Sequence, residues 1–112
     1  MDERDLRELV HFSEDEPERS TLFESDHLWS EVICLQGAQG VGPIEDPDSD
    51  AICTIVAGTV AVQVDRTRTR IPQWGTVLVP AGASLTLRNA SEDPSVILLV
   101  AAPPPTSRAV TE

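Results

Sequence analysis

The chain has 112 residues, a mass of 12.1 kDa and a formal net charge of −11. This is the length of one domain, and no apolar run approaches the roughly 20 residues of a membrane-spanning helix. All eight basic residues are arginine, against nineteen acids, a balance that repels phosphate backbones and anionic lipid and so excludes nucleic acid and membrane as partners.

Residues 1–26 hold ten of the nineteen acids and three arginines, a local charge of −7. They predict a short acidic N-terminal arm or strand. Asp2 to Phe12 fits a short helix with Leu6, Leu9 and Val10 on one side, or a polar lead into a strand at Leu9 to Phe12. SEDEPERS (13–20) is too charged to bury and reads as a loop. The opening MDERDLRELV lacks the basic, then apolar, then small-residue order of a secretory leader. Two cysteines are too few for a disulfide scaffold, so reduced thiols in a cytoplasmic protein are expected.

From His27 the pattern changes to short runs rich in Val, Ile and Leu, each closed by Gly, Pro, Asp or Asn. HLWSEVICL (27–35) predicts a strand and QGAQGVGP (36–43) a glycine-rich turn. AICTIVAG (51–58) ends at a glycine. TVAVQVD (59–65) alternates Val60, Val62 and Val64 with Ala61 and Gln63, the period-two mark of a half-buried strand. Asp65-Arg66 makes a turn, TRTRI (67–71) returns, and TVLVP (76–80), SLTLRN (84–89) and SVILLVAA (95–102) follow. Prolines 103–105 stop the last strand, and residues 106–112 read as a flexible tail. Eight or so short strands with hairpin-length links mean an all-β antiparallel barrel or sandwich. Ile52, Ile55, Val56, Val60, Val62, Val64, Val77, Val79, Leu87, Ile97 and Leu99 are its expected core.

The segment DAICTIVAGTV (50–60), closing at Gly58, and WGTVLVPAGASLTLRN (74–89), with Pro80, Gly82 and Asn89 in step, carry a family likeness. With them the stretch from Val32 to Pro105 resembles the small single-domain members of the cupin superfamily. The resemblance implies a small antiparallel β-barrel of the double-stranded β-helix, or jelly-roll, kind over 27–105, and commonly a homodimer. It places Trp74 where the family's second motif begins with glycine. In metal-binding cupins two histidines and a glutamate of the first motif, with a histidine of the second, hold the ion. Here Ala51 stands at the glutamate position and Leu85 at the second-motif histidine. The His-x-His pair falls on Glu45 and Pro47, or on Ile44 and Asp46 if the gap is one longer. No ligand matches, so no metal and no cofactor are expected.

The remaining chemistry-bearing residues each have an ordinary reading. Glu45, Asp46, Asp48 and Asp50 form an acidic cluster, best read as a surface loop rather than a hard-cation site. His11 and His27, the two imidazoles, are expected at the surface. Cys53 points inward if Ala51 does, as a small hydrophobe with no cation to lower its pKa. Arg66, Arg68 and Arg70 share one strand face, either an anion-binding stripe or a charged, protected edge that pairs with an acidic leader. Trp29 and Trp74 are expected in core or interface packing, with a stacking platform for a ligand ring as the lesser alternative. The pocket candidates are Glu45, Asp50, Ala51, Cys53, Ile55, Leu85, Leu87 and Asn89, and no catalytic set emerges. Three functions fit: a non-catalytic module or sensor for a small apolar or weakly polar molecule, a small cupin enzyme of isomerase, dioxygenase or decarboxylase type, or an interaction domain with a filled barrel. Strands such as SVILLVAA and AICTIVA, apolar on both faces, need a second layer from the N-terminal residues or from another subunit, which predicts a homodimer.

Overall fold

The structure, a computed structural model, describes residues 1–105. Its strands are β1 (Glu18–Glu24), β2 (Trp29–Leu35), β3 (Gly40–Ile44), β4 (Asp50–Ala57), β5 (Thr59–Val64), β6 (Thr67–Pro72), β7 (Thr76–Val79), β8 (Leu85–Arg88) and β9 (Ser95–Ala102). One turn of 3₁₀ helix, Leu6–Leu9, begins at Asp5, whose side chain accepts from Arg7 N. Among the described residues no helix is long and apolar enough to cross a membrane. The strands form two antiparallel sheets, β1-β2-β9-β4-β7 (sheet A) and β3-β8-β5-β6 (sheet B). The all-β jelly-roll expectation therefore holds.

Alternation along the strands explains the core. Ile33, Leu35, Cys53, Ile55, Val60, Leu85, Leu87, Ile97 and Leu99 all point between the sheets and are at most 2% exposed. Each large aliphatic side chain so buried contributes about 1.5–3 kcal/mol. The residues between them in β2 and β9 face outward, yet every residue of β2 is buried. The cover is the N-terminal stretch: Leu6, Leu9, Val10, Phe12 and Leu22 pack over Val32, Cys34 and Val96 as a second apolar cluster. The acidic segment is thus bound to the barrel along its apolar positions, and β1 is hydrogen-bonded to β2 from Glu18↔Cys34 to Glu24↔Trp29.

Two expectations about elements need correction. The loop assigned to 13–20 stops at Pro17, because β1 begins at Glu18. The glycine-rich turn assigned to 36–43 is a turn only at its start, because Gly40–Ile44 is strand β3. Glycine is needed there for close approach: at Gly42, where φ is 122°, a Cβ would lie 2.7 Å from Leu85 O on β8. The expected core also divides. Ile52 is 51% exposed on the outer face of β4, and Val56, Val64 and Val77 are half-buried. Trp74 is 73% exposed, which overturns the core half of its expected core or interface packing.

Candidate functional site at the barrel mouth

One end of the core is left incompletely filled. A cavity of about 40 Å³ lies between the sheets, walled by Trp29, Ile44, Asp46, Ala51, Leu85 and Leu99, with Pro105 alongside. Pairing fixes these walls: Ala51 sits opposite both Val79 of β7 and Ala101 of β9, and Leu85 opposite both Ile44 of β3 and Val64 of β5. The loop from 45 to 49 is tied down on two sides. Gly82 N donates to Asp46 O at 2.8 Å, and Ser49 Oγ donates to Pro103 O at 2.6 Å. Asp46 Oδ1 accepts from Asp48 N at 2.9 Å, and Asp46 itself is buried.

Trp29 supplies the feature that sequence reasoning missed. Its side chain lines the cavity, and its Nε1–H is buried with no hydrogen-bond partner among the described residues. An unpaired buried donor costs about 1–3 kcal/mol, so the indole marks a place where an acceptor belongs. The sequence signal was only an aromatic at the first position of β2.

The expected pocket residues separate into three groups. Ala51 and Leu85 line the cavity. Cys53, Ile55 and Leu87 are fully buried deeper in the core and do not line it, and burial pushes the Cys53 thiol up to about 12, as an inert hydrophobe requires. Glu45 and Asp50 are exposed, and Asp50 Oδ1 accepts from Ala81 N at 2.8 Å. Asn89 is placed away from the cavity: its Nδ2 donates to Leu35 O and Asp93 O, and its Oδ1 accepts from Ser91 N and Oγ. That makes Asn89 a bracket for the β8–β9 turn. His11 and His27 are both exposed. Cys34 and Cys53 are free and face opposite sides of sheet A.

The family's metal position can be tested on the donor atoms. The two inward side chains before β4 are Ile44 and Asp46, while Glu45 and Pro47 are exposed, so the longer gap is the register adopted. Ile44, Ala51 and Leu85 have no lone pairs, and of the four positions Asp46 alone offers oxygen. These residues do not fit a first-row transition metal. Among the described residues no three His, Cys, Asp or Glu side chains gather around a common point.

No family model matches the sequence, and no curated protein does. In three dimensions the chain is similar to the TT1209 protein of Thermus thermophilus, at 26% identity over 94% of this chain and 100% of that one, with a TM-score of 0.88. An uncharacterized protein with a double-stranded β-helix domain from Klebsiella pneumoniae matches at 20% identity, 89% and 88% coverage and a TM-score of 0.84. A cupin superfamily protein from Desulfitobacterium hafniense matches at 16% identity, 87% and 86% coverage and a TM-score of 0.77. The chain therefore has the fold of the cupin superfamily.

Proposed function

We propose that this cupin is a non-catalytic binding module whose ligand contacts the barrel mouth. The observation that carries the reading is the buried, unpartnered Nε1–H of Trp29, a residue that lines a mostly apolar cavity. It suits a small, weakly polar molecule with one acceptor for the indole and an apolar body against Ala51, Leu85 and Leu99. The cavity as it stands holds about one water molecule, so a larger ligand enters by displacing the 103–105 segment that Ser49 holds. An enzyme reading has less support, since Asp46 is the only carboxylate on the cavity wall among the described residues.

The small volume favours a second reading, an interaction domain with a filled barrel, because ligand pockets are about 300–1,000 Å³. One experiment separates the two. Trp74→Phe leaves Trp29 as the sole indole, and small hydrophobic acids, sugars and aromatics are screened by thermal shift and by Trp29 emission. Binding at the mouth raises the melting temperature and moves the emission, and Ala51→Leu, which fills the cavity without adding an indole, abolishes both. A panel that moves neither readout leaves the filled-barrel reading.

We also propose a cytoplasmic homodimer. The N-terminal cover ends short of Ile52 and Leu78, which face each other across β4 and β7 at 51% and 65% exposure. A second copy seated there supplies the missing layer. Two buried, unpaired cysteines suit a reducing compartment.

A further inference from the structure

Sheet A ends in β7 and sheet B ends in β6, and these two edges do not pair with each other. Between them runs an open groove of about 580 Å³, with Val62, Val64, Ile71 and Val77 on its floor. Along β6 the residues alternate. Thr67, Thr69 and Ile71 sit opposite Val64, Val62 and Val60 and share their inward side, while Arg68 and Arg70 sit opposite Gln63 and Ala61 and face outward. Arg88 of β8 is also opposite Ala61, so two arginines flank one alanine. Arg66, Arg68, Arg70 and Arg88 are exposed, and none makes an ion pair among the described residues. The other outward positions of β5, β6 and β8 carry no acid. In a chain of net charge −11, this is a positive face beside an open strand edge; the groove also carries Asp65 of the β5–β6 turn, whose Oδ1 accepts from Ser84 N.

We propose that the β6 edge accepts an extended acidic peptide of another protein as an added strand. Main-chain hydrogen bonds to β6 supply affinity, and the alternation of the added strand supplies specificity. Carboxylates two residues apart, about 6.6 Å along a strand, face Arg68 and Arg70 in charge-assisted, bidentate pairs. The intervening small apolar side chains face Val62, Val64 and Val77. The same arginines repel a second β6 brought edge to edge, so the edge selects an acidic chain over another copy of itself. None of these residues lines the barrel-mouth cavity, so this surface stands or falls apart from the ligand binding proposed there, although Leu78 on the groove also belongs to the proposed dimer face.

The test uses the full chain and a fluorescein-labelled peptide, Thr-Glu-Val-Glu-Val-Glu-Thr, followed by anisotropy. Wild-type protein binds it, and binding weakens as salt rises. Reversing both charges (Arg68→Glu with Arg70→Glu, both at exposed positions) raises Kd by more than about tenfold, and circular dichroism confirms that the variant is folded. A peptide with lysine for glutamate fails to bind, as does one with proline for both valines. Backbone amide shifts cluster at Thr67–Ile71. No binding by the wild type, or equal binding by the charge-reversed variant, overturns the proposal. Equal binding of the proline peptide overturns strand addition.

Discussion

Arg19 and Glu31 meet in a two-bonded ion pair across β1 and β2, with Arg19 Nη2 2.6 Å from Oε1 and Nε 3.1 Å from Oε2. Glu31 stands between Trp29 and Ile33 on the inward side of β2, where alternation calls for an apolar residue, and its side chain is 4% exposed. Removing the arginine strands a buried carboxylate. Arg19→Ala is expected to cost about 2–3 kcal/mol in urea denaturation, at the lower end for buried pairs because Arg19 is partly in solvent. The double variant Arg19→Met with Glu31→Leu recovers most of the loss. Full stability in Arg19→Ala alone would show that the pair contributes nothing.

Cys53 predicts an alkaline limit. Burial raises its thiol from 9.0 to about 12, and burial also raises Cys34. A raised pKa means the folded chain holds the proton longer than the unfolded chain. The stabilisation is therefore complete below pH 9.0 and is lost as pH rises towards about 12. Cys53→Ala should flatten this decline, leaving the smaller part due to Cys34. At pH near 8 neither thiol should react with an aromatic disulfide reagent until the protein is unfolded.

Trp74 sits in the left-handed region, with φ 76°, while 73% exposed. Its backbone N–H donates to Ile55 O at 2.7 Å, which fixes the conformation whatever the side chain. Trp74→Gly is expected to raise stability by about 0.5–1 kcal/mol, since the strain of a Cβ there is about 1–2 kcal/mol and glycine's extra chain entropy offsets part of it. Trp74→Ala, which keeps the Cβ, should show no such gain in thermal unfolding.

The donor set at the mouth predicts a protein without a resident transition metal. Elemental analysis after purification without an affinity tag should find no stoichiometric iron, nickel, copper or zinc. Near-stoichiometric metal would overturn this. Leu85→His with Ala51→Glu should restore at most weak binding, because Ile44 still supplies no ligand.

The proposed dimer is checked by light scattering at micromolar concentration. The wild type should report twice the 12.1 kDa chain mass. Ile52→Asp with Leu78→Asp, both at exposed positions, should give folded monomer. A monomeric wild type sinks the proposal.

Much of the fold was legible because its strands announce themselves locally. Val60, Val62 and Val64 alternate, and SVILLVAA is strand β9 from end to end. What escaped was set by tertiary partners. β1 is written in charge and reads as loop until Leu22 and Arg19 find Val32 and Glu31. β3 is written in Gly and Pro and is a strand because its backbone must lie close to β8. At the site, Ala51 and Leu85 were placed by the resemblance to the cupin motifs, whereas Trp29 reaches the cavity only because β2 runs beside β9. That pairing spans the sequence and has no local signature. That Ile52 points outward was legible from its alternation with Ala51 and Cys53, whereas the N-terminal cover's stopping short of it was not.

The position of β9 in sheet A has a further consequence. It is the last described strand in the chain, and it lies between β2 and β4, paired to both along its length. Until it arrives, β2 has only β1 for a neighbour, β4 has only β7, and the inward faces of both stay wet. A growing chain thus cannot assemble this barrel in stages from its N-terminus. Folding waits on a single late insertion that closes contacts between distant parts of the sequence, which puts it in the milliseconds-to-seconds regime of non-local β topologies. Truncation before Ser95 should leave an unfolded chain rather than a smaller barrel.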